Sequence, residues 1–191
     1  GCPGTPSTYT ITINPTPVVT VPANSTVCNS ATIAASNYSS TTPGTTFAWT
    51  NSDATIGLAA SGTGNTPSFT TTNSTALPVT STITVTPTTN GCPGTPSTYT
   101  ITVNPTPVAI AGASSVCEGS TITLTDASSG GTWASSDPSI ATISTSGTVT
   151  GVAVGSVTIS YTISTGCVRT AVVPINSTPT SILGANTVCV N

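Results

Sequence analysis

"GCPGTPSTYTITVNPTPV" (91–108) repeats, with one change, the stretch "GCPGTPSTYTITINPTPV" (1–18); only Ile13 and Val103 differ. Within it, "STYTITVN" (97–104) alternates strictly. Tyr99, Ile101 and Val103 fall on one face, and Thr98, Thr100 and Thr102 on the other. Side chains of period two mark a strand with one buried face. The "NPTP" that follows places two prolines in four residues, which removes backbone donors and fixes an extended exit. The repeated word therefore reads as the last strand of a domain (97–104, and again 7–14) followed by a short stiff linker (104–107, and again 14–17).

A second recurring word marks beginnings. "STVC" (25–28), "SSVC" (114–117) and "NTVC" (186–189) each follow a linker at similar distance and would close the first strand of a new domain. The chain thus divides into an ending (1–14), a whole domain (15–104), a second whole domain (105–176) and a beginning (177–191), as a cut through a tandem array would. Strands are predicted near 17–21, 31–35, 46–50, 54–59, 67–72, 79–87 and 97–104, then near 107–111, 120–125, 130–135, 139–143, 147–152, 156–164 and 167–175. Trp49 and Trp133 each fall on a third strand, as core aromatics. Nothing has helical periodicity. The expected fold class is all-β: tandem immunoglobulin-like β-sandwiches of about seven strands each.

Composition narrows the function. Of 191 residues, 3 % are charged, against about 25 % in an ordinary domain. There are 46 Thr and 27 Ser, and no Lys, His, Met or Gln. A Ser- and Thr-rich stalk without a core would not need alternating apolar residues, whereas Thr suits a pleated surface. Arg169 is the sole base, too little to neutralise a nucleic-acid backbone. No apolar run approaches the roughly 18 residues of a membrane span, and no signal peptide is visible. The chain reads as a piece of a longer one.

Catalytic chemistry lacks its parts. A Ser or Thr nucleophile needs an adjacent base, and His and Lys are absent. Of the four acids, Asp126 and Asp137 are eleven apart and could meet in space, but Asp137 suits a cap on the "SSDPS" turn. Calcium asks for six to eight oxygens, several from carboxylates; with Glu118 as the one acid beside a linker, at most a weak site is available, and no cofactor is expected. Sequons stand at Asn24, Asn37, Asn73 and Asn176. O-glycans on the outward Thr faces are the better expectation, since sugars would supply the solubility that the missing charges do not.

The cysteines admit two arrangements. Without CxxC pairs or His, zinc is unsupported, and disulfides in an oxidising, extracellular setting are the natural reading. Pairing within domains would join Cys28 to Cys92 and Cys117 to Cys167. Cys28 and Cys117, however, lie between the first and second strands, and Cys92 and Cys167 between the sixth and seventh, at opposite ends of a sandwich. A strand of eight residues spans about 26 Å, and a disulfide needs Cα atoms within about 7 Å. The spacing leans towards the second arrangement. In it Cys28 joins Cys167, Cys117 and Cys189 join domains further along, and Cys2 and Cys92 join domains before.

"GGTWASSDPSIATISTSGTVTGVAVGSVTISYT" (130–162) resembles the bacterial Ig-like domain of group 2, found in intimin- and invasin-type surface proteins. The ending "GCPGTPSTYTITVNPTP" and the "VC…GC" pattern are similar to PKD-like and Ig-like repeats of giant surface adhesins in Bacteroidota. The resemblance implies an elongated, multi-domain chain on the cell surface, with no shared catalytic residues. Three roles are open: a structural segment of an extracellular filament or stalk, a pilus-like subunit assembled by strand donation, and an adhesin module that binds glycans or other cells. Neighbouring repeats are the expected partners, with neither nucleic acid nor membrane.

Overall fold

The computed structural model describes residues 1–179. The chain divides into two compact units between Pro105 and Thr106. Residues 1–19 contain no strand.

The first unit contains β1 (Ser25–Cys28), β2 (Thr32–Ile33), β3 (Thr46–Asn51), a 3-10 turn (Ala54–Ile56), β4 (Ser61–Thr63), β5 (Phe69–Thr70), β6 (Val79–Thr89), β7 (Cys92–Pro93) and β8 (Ser97–Asn104). Its main sheet runs β1-β8-β6-β3-β4, with β7 paired to β6, and a two-stranded β2-β5 sheet completes the unit. The predicted alternation of β8 holds: Tyr99, Ile101 and Val103 are buried, and Thr98, Thr100 and Thr102 are not. Ile83 and Val85 of β6 and Trp49 of β3 join them in one core with Ile56, Leu58 and Val19. The opposite face is a threonine ladder. Thr50, Thr84 and Thr98 align across three strands, and Thr80 and Thr102 hydroxyls meet at 2.8 Å.

The second unit contains β9 (Ala111–Gly112), β10 (Val116–Cys117), β11 (Thr121–Thr125), β12 (Thr132–Ser135), β13 (Ala141–Ile143), β14 (Thr148–Gly151), β15 (Gly155–Thr162) and β16 (Val168–Asn176). Two four-stranded sheets form, β10-β16-β15-β12 and β13-β14-β11-β9. Their inner faces bury Val157, Ile159, Val173 and Ile175 from one sheet against Leu124, Ala141 and Val149 from the other. The fold is thus all-β and sandwich-like, as the alternation predicts.

Several strand predictions need correction. Residues 54–59 form no strand. Asp53 accepts hydrogen bonds from the Thr55 backbone N–H at 2.9 Å and the Thr55 hydroxyl at 2.6 Å. That cap turns the chain into the 3-10 turn, and Gly57 ends it with φ of +99°, a left-handed conformation that favours glycine. Local side-chain hydrogen bonding wins over a strand-like composition. The strand predicted at 17–21 is reduced to a single bridge between Thr20 and Ser39. The one predicted at 107–111 survives only as β9, and β1, β4, β7 and β10 lie outside the predicted strands; Cys28 and Cys117, expected between strands, end β1 and β10, because each Val-Cys word pairs in parallel with the last strand of its unit.

Candidate functional site

Both units share a frame that positions the cysteines. In each, a short strand carrying a Val-Cys pair runs parallel to the last strand. Cys28 stands opposite Asn104 across β1 and β8, and Cys117 stands opposite Asn176 across β10 and β16. The backbone continues alike in both: Asn29 N–H donates to the Asn104 carbonyl and Glu118 N–H to the Asn176 carbonyl, each at 2.8 Å. Cys28 and Cys117 are therefore equivalent, at the end of the unit where the last strand exits.

Cys92 and Cys167 are equivalent at the other end. Each follows a glycine with positive φ, Gly91 at +78° and Gly166 at +83°, in the turn that feeds the last strand. Eight residues of β8 separate the Cys92 turn from the Cys28 level, and nine of β16 separate Cys167 from the Cys117 level. Those strands span about 26 and 30 Å, several times the reach of a disulfide. Cys28 and Cys167 are disulfide-bonded, while Cys2, Cys92 and Cys117 are free thiols. Cys28 is thus not joined to Cys92, nor Cys117 to Cys167. Cys189 lies outside the described residues, as does most of the beginning expected at 177–191.

The repeated word occupies two environments. In β8, Tyr99, Ile101 and Val103 are 4, 2 and 0 % exposed; their counterparts Tyr9, Ile11 and Ile13 are 85, 72 and 90 % exposed. The linker prolines behave alike, for Pro17 and Pro107 are both buried.

The remaining candidates fall as follows. Trp49 is buried, with no acceptor for its Nε1 among the described residues. Trp133 is only half-buried, packed beside the core and 4.6 Å from the Tyr161 ring. Asn24, Asn37 and Asn176 are exposed. Asn73 is buried and its amide is engaged, donating to the Leu77 carbonyl at 2.9 Å and the Val103 carbonyl at 2.7 Å. That leaves this sequon no side chain to present to a glycan. Asp137 caps its turn, accepting from the Ser139 N–H at 2.9 Å and the Ser139 hydroxyl at 2.6 Å. These bonds hold the Asp137 carboxyl below its ordinary range, and the Thr55 bonds do the same for Asp53. Asp126 closes a separate turn by accepting from Ser128 N–H at 2.7 Å. Glu118 is exposed. Among the described residues, no three His, Cys, Asp or Glu side chains gather into a group that could hold a metal ion.

Sequence reasoning missed one polar cluster. The Tyr38 and Tyr99 hydroxyls meet at 3.1 Å, the Ser36 hydroxyl lies 3.2 Å from Tyr99, and Thr66 donates to Ser36 at 2.5 Å. Burial, then the bond with Tyr99, pushes the Tyr38 phenol far above its usual range. Beside it a shallow depression of about 500 Å³ is lined by Val21, Pro22, Ile33, Ala35, Tyr99 and Ile101 among others, without a charged side chain. The phenols and hydroxyls in this setting hold one another in place. Only tertiary packing brings Tyr38, in the loop after β2, against Tyr99 of β8, so no local signal announces them.

Comparison with known proteins fits this architecture. Residues 25–107 match the model of the PKD-like domain, and residues 97–173 match that of the bacterial Ig-like domain (group 2). The two matches overlap on β8, which lies in the sheet of the first unit, and on the proline exit after it. Among curated proteins none matches the chain in sequence. Among solved structures, it is similar to the C-terminal fragment of intimin in complex with the intimin-binding domain of its translocated receptor (16 % identity, TM-score 0.46, covering 83 % of this chain and 64 % of that one). It is also similar to domains 1–6 of the surface layer protein SbsC (22 %, 0.30, covering 70 % and 20 %). A third is a SusE-like surface-located polysaccharide-binding protein from Bacteroides thetaiotaomicron (15 %, 0.40, covering 83 % and 34 %). The chain spans less than two thirds of the length of each. No helix among the described residues is long and apolar enough to cross a membrane. The chain is thus all-β, similar over residues 25–107 to the PKD-like domain and over residues 97–173 to the bacterial Ig-like domain of group 2.

Proposed function

We propose that this chain is a structural segment of an extracellular, cell-surface filament or stalk of tandem Ig-like repeats, of the kind that carries adhesins. One observation carries the reading. The word folded as β8 between β1 and β6 in the first unit occurs again at 1–18 with its apolar face unpartnered. Three large side chains that are nearly dry in one copy stand in water in the other. Burying such side chains is worth about 1.5–3 kcal/mol each. The second copy therefore suits the same neighbours: a β1-like strand running parallel and a β6-like strand running antiparallel, in another domain of the PKD-like kind. Strand, buried proline, next unit is then a repeating period, and repeats multiply reach without new chemistry. Neighbouring repeats are the partners, and contacts to glycans or other cells belong to an array's adhesive parts.

The same exposed segment favours a second reading, in which it completes a sandwich in another molecule by strand addition. Native material boiled in acid and run on a denaturing gel, with and without reductant, separates the two. A band or ladder far above the 18.6 kDa of this chain that survives both treatments is expected. Collapse to single subunits without reductant establishes strand donation and rejects the continuous array.

A further inference from the structure

We infer that the parallel pair made by the Val-Cys strand and the last strand is a load-bearing clamp in each unit, and that the second unit yields before the first when the chain is pulled. This deepens the stalk reading above and rests on it, because domains joined in series pass tension through each unit from its entering chain to its leaving chain.

Load enters the first unit's clamp at the Ser25 end of β1 and leaves at the Asn104 end of β8. The two strands run parallel, with Ser25 to Cys28 opposite Ile101 to Asn104. Tension therefore draws them past one another in opposite directions along a shared axis. The bonds of a parallel ladder are evenly spaced between its strands, so all of them are strained at once. In an antiparallel pair the chain would enter and leave at one end, and the bonds would open one after another. β10 and β16 repeat the arrangement in the second unit, with Val116 and Cys117 opposite Ile175 and Asn176.

The direct path from entry to exit crosses this pair, so the core is shielded from tension while the pair holds. Behind it the last strand is secured by longer ladders: β8 faces β6 over seven residue pairs, and β16 faces β15 over eight. The entering chain is tied by no more than the clamp. Among the described residues, one bridge joins Thr20 to Ser39 ahead of β1, and two pairs join β9 to β11 ahead of β10. The clamps themselves differ in length, four pairs in the first unit against two in the second. At its loaded end the first is extended by a side chain, for Thr100 N–H donates to Asn24 Oδ1 at 2.9 Å.

The test stretches the folded full chain by its two ends in an optical trap, with reductant present so that no disulfide carries load. Residues 25–104 should release about 65 Å more chain than residues 116–176, at ~3.3–3.6 Å per extended residue, so the two steps are told apart. The shorter step is expected at the lower force. Equal forces, or the longer step first, overturn the proposal. Two variants then separate the clamp from stability in general. Asn24→Ala removes the side-chain bond of the clamp. Ser68→Ala removes an exposed bond of the same length, 2.9 Å to the Ile33 carbonyl, beside the β2-β5 pair. A bond broken at the barrier alters the unfolding rate, and one still intact there does not. At constant force Asn24→Ala should speed unfolding of the first unit by about 2- to 10-fold, the worth of one hydrogen bond, and Ser68→Ala should leave it unchanged. Equal effects, or the reverse, overturn the clamp. Failure of the array reading is distinct. Collapse of native material to single subunits on the gel rejects the array and leaves the force results standing, whereas a long surviving chain with the wrong order of steps rejects the clamp alone.

Discussion

Gly62 lies opposite Trp49 across β3 and β4, and a Cβ there would overlap the indole ring. Gly131 plays the same part in the second unit beneath Tyr161, whose hydroxyl accepts from Gly131 N–H at 3.0 Å and donates to the Ser128 carbonyl at 2.7 Å. Neither φ is left-handed, so the demand for glycine is purely one of space. Gly62→Ala and Gly131→Ala should each destabilise by about 1–3 kcal/mol, the usual cost of overpacking, read as a shift in the urea midpoint. Titration offers a second test at this scale. The folded-state pKa values of Asp53 and Asp137 lie below their unfolded values. Their stabilisation is therefore present above about pH 3.9 and lost as pH falls through the folded values. Asp53→Asn and Asp137→Asn should flatten the acid limb of stability against pH. Tyr38 runs the other way. Its folded pKa is raised, so its contribution is full below about pH 10 and lost as pH climbs towards the folded value. The part of the tyrosinate absorbance that is missing from the Tyr38→Phe chain should appear only as the first unit unfolds, and Tyr38→Phe should move that unfolding to higher pH.

At the scale of the element, β8 offers an internal control that few chains contain. The word that forms it occurs twice, so the same substitution can be made in a paired copy and an unpaired one. Ile101 is 2 % exposed between β1 and β6, while Ile11 is 72 % exposed. Ile101→Ala should cost about 2–5 kcal/mol, the range for emptying a core position. Ile11→Ala should stay within about 0.5 kcal/mol in this chain, as surface changes do. In native material, where the array reading gives residues 7–14 the neighbours of β8, Ile11→Ala should cost as much as Ile101→Ala. Equilibrium unfolding of the four samples checks both statements. The parallel pairing of β1 with β8 and of β10 with β16 explains why the Val-Cys words recur: each locks its strand beside the domain's last one.

For the whole molecule, the near absence of charge governs behaviour. Arg169 is the only trypsin site. It lies within β16, paired with Tyr161 of β15, and its Nε donates to the Pro107 carbonyl at 3.2 Å. Native chain should therefore resist trypsin, and unfolded chain should give two pieces, cut after Arg169; a time course with and without urea reads this. With a net charge of −3 and an isoelectric point near 4.1, unmodified chain should lose solubility as pH approaches 4. If sugars cover the outward threonines of native material, that material should stay soluble there.

The sequence by itself determined the class and the punctuation. Alternation in "STYTITVN" and "GSVTISYT" fixes strands and their buried faces, because a pleat has period two and little else produces it. Proline pairs and recurring Val-Cys words set the ends of each unit, since they act through local backbone geometry. What only the tertiary structure decided depends on distant partners. The turn at 54–56 came from Asp53 capping, which competes with a strand at hydrogen-bond range. The burial of Asn73 came from carbonyls of β8 and of a loop. The Tyr38–Tyr99 pair came from side chains 61 residues apart. Cysteine spacing named the two classes of thiol and their separation, but that Cys28 and Cys167 are bonded while Cys92 and Cys117 are free became visible only in the tertiary structure.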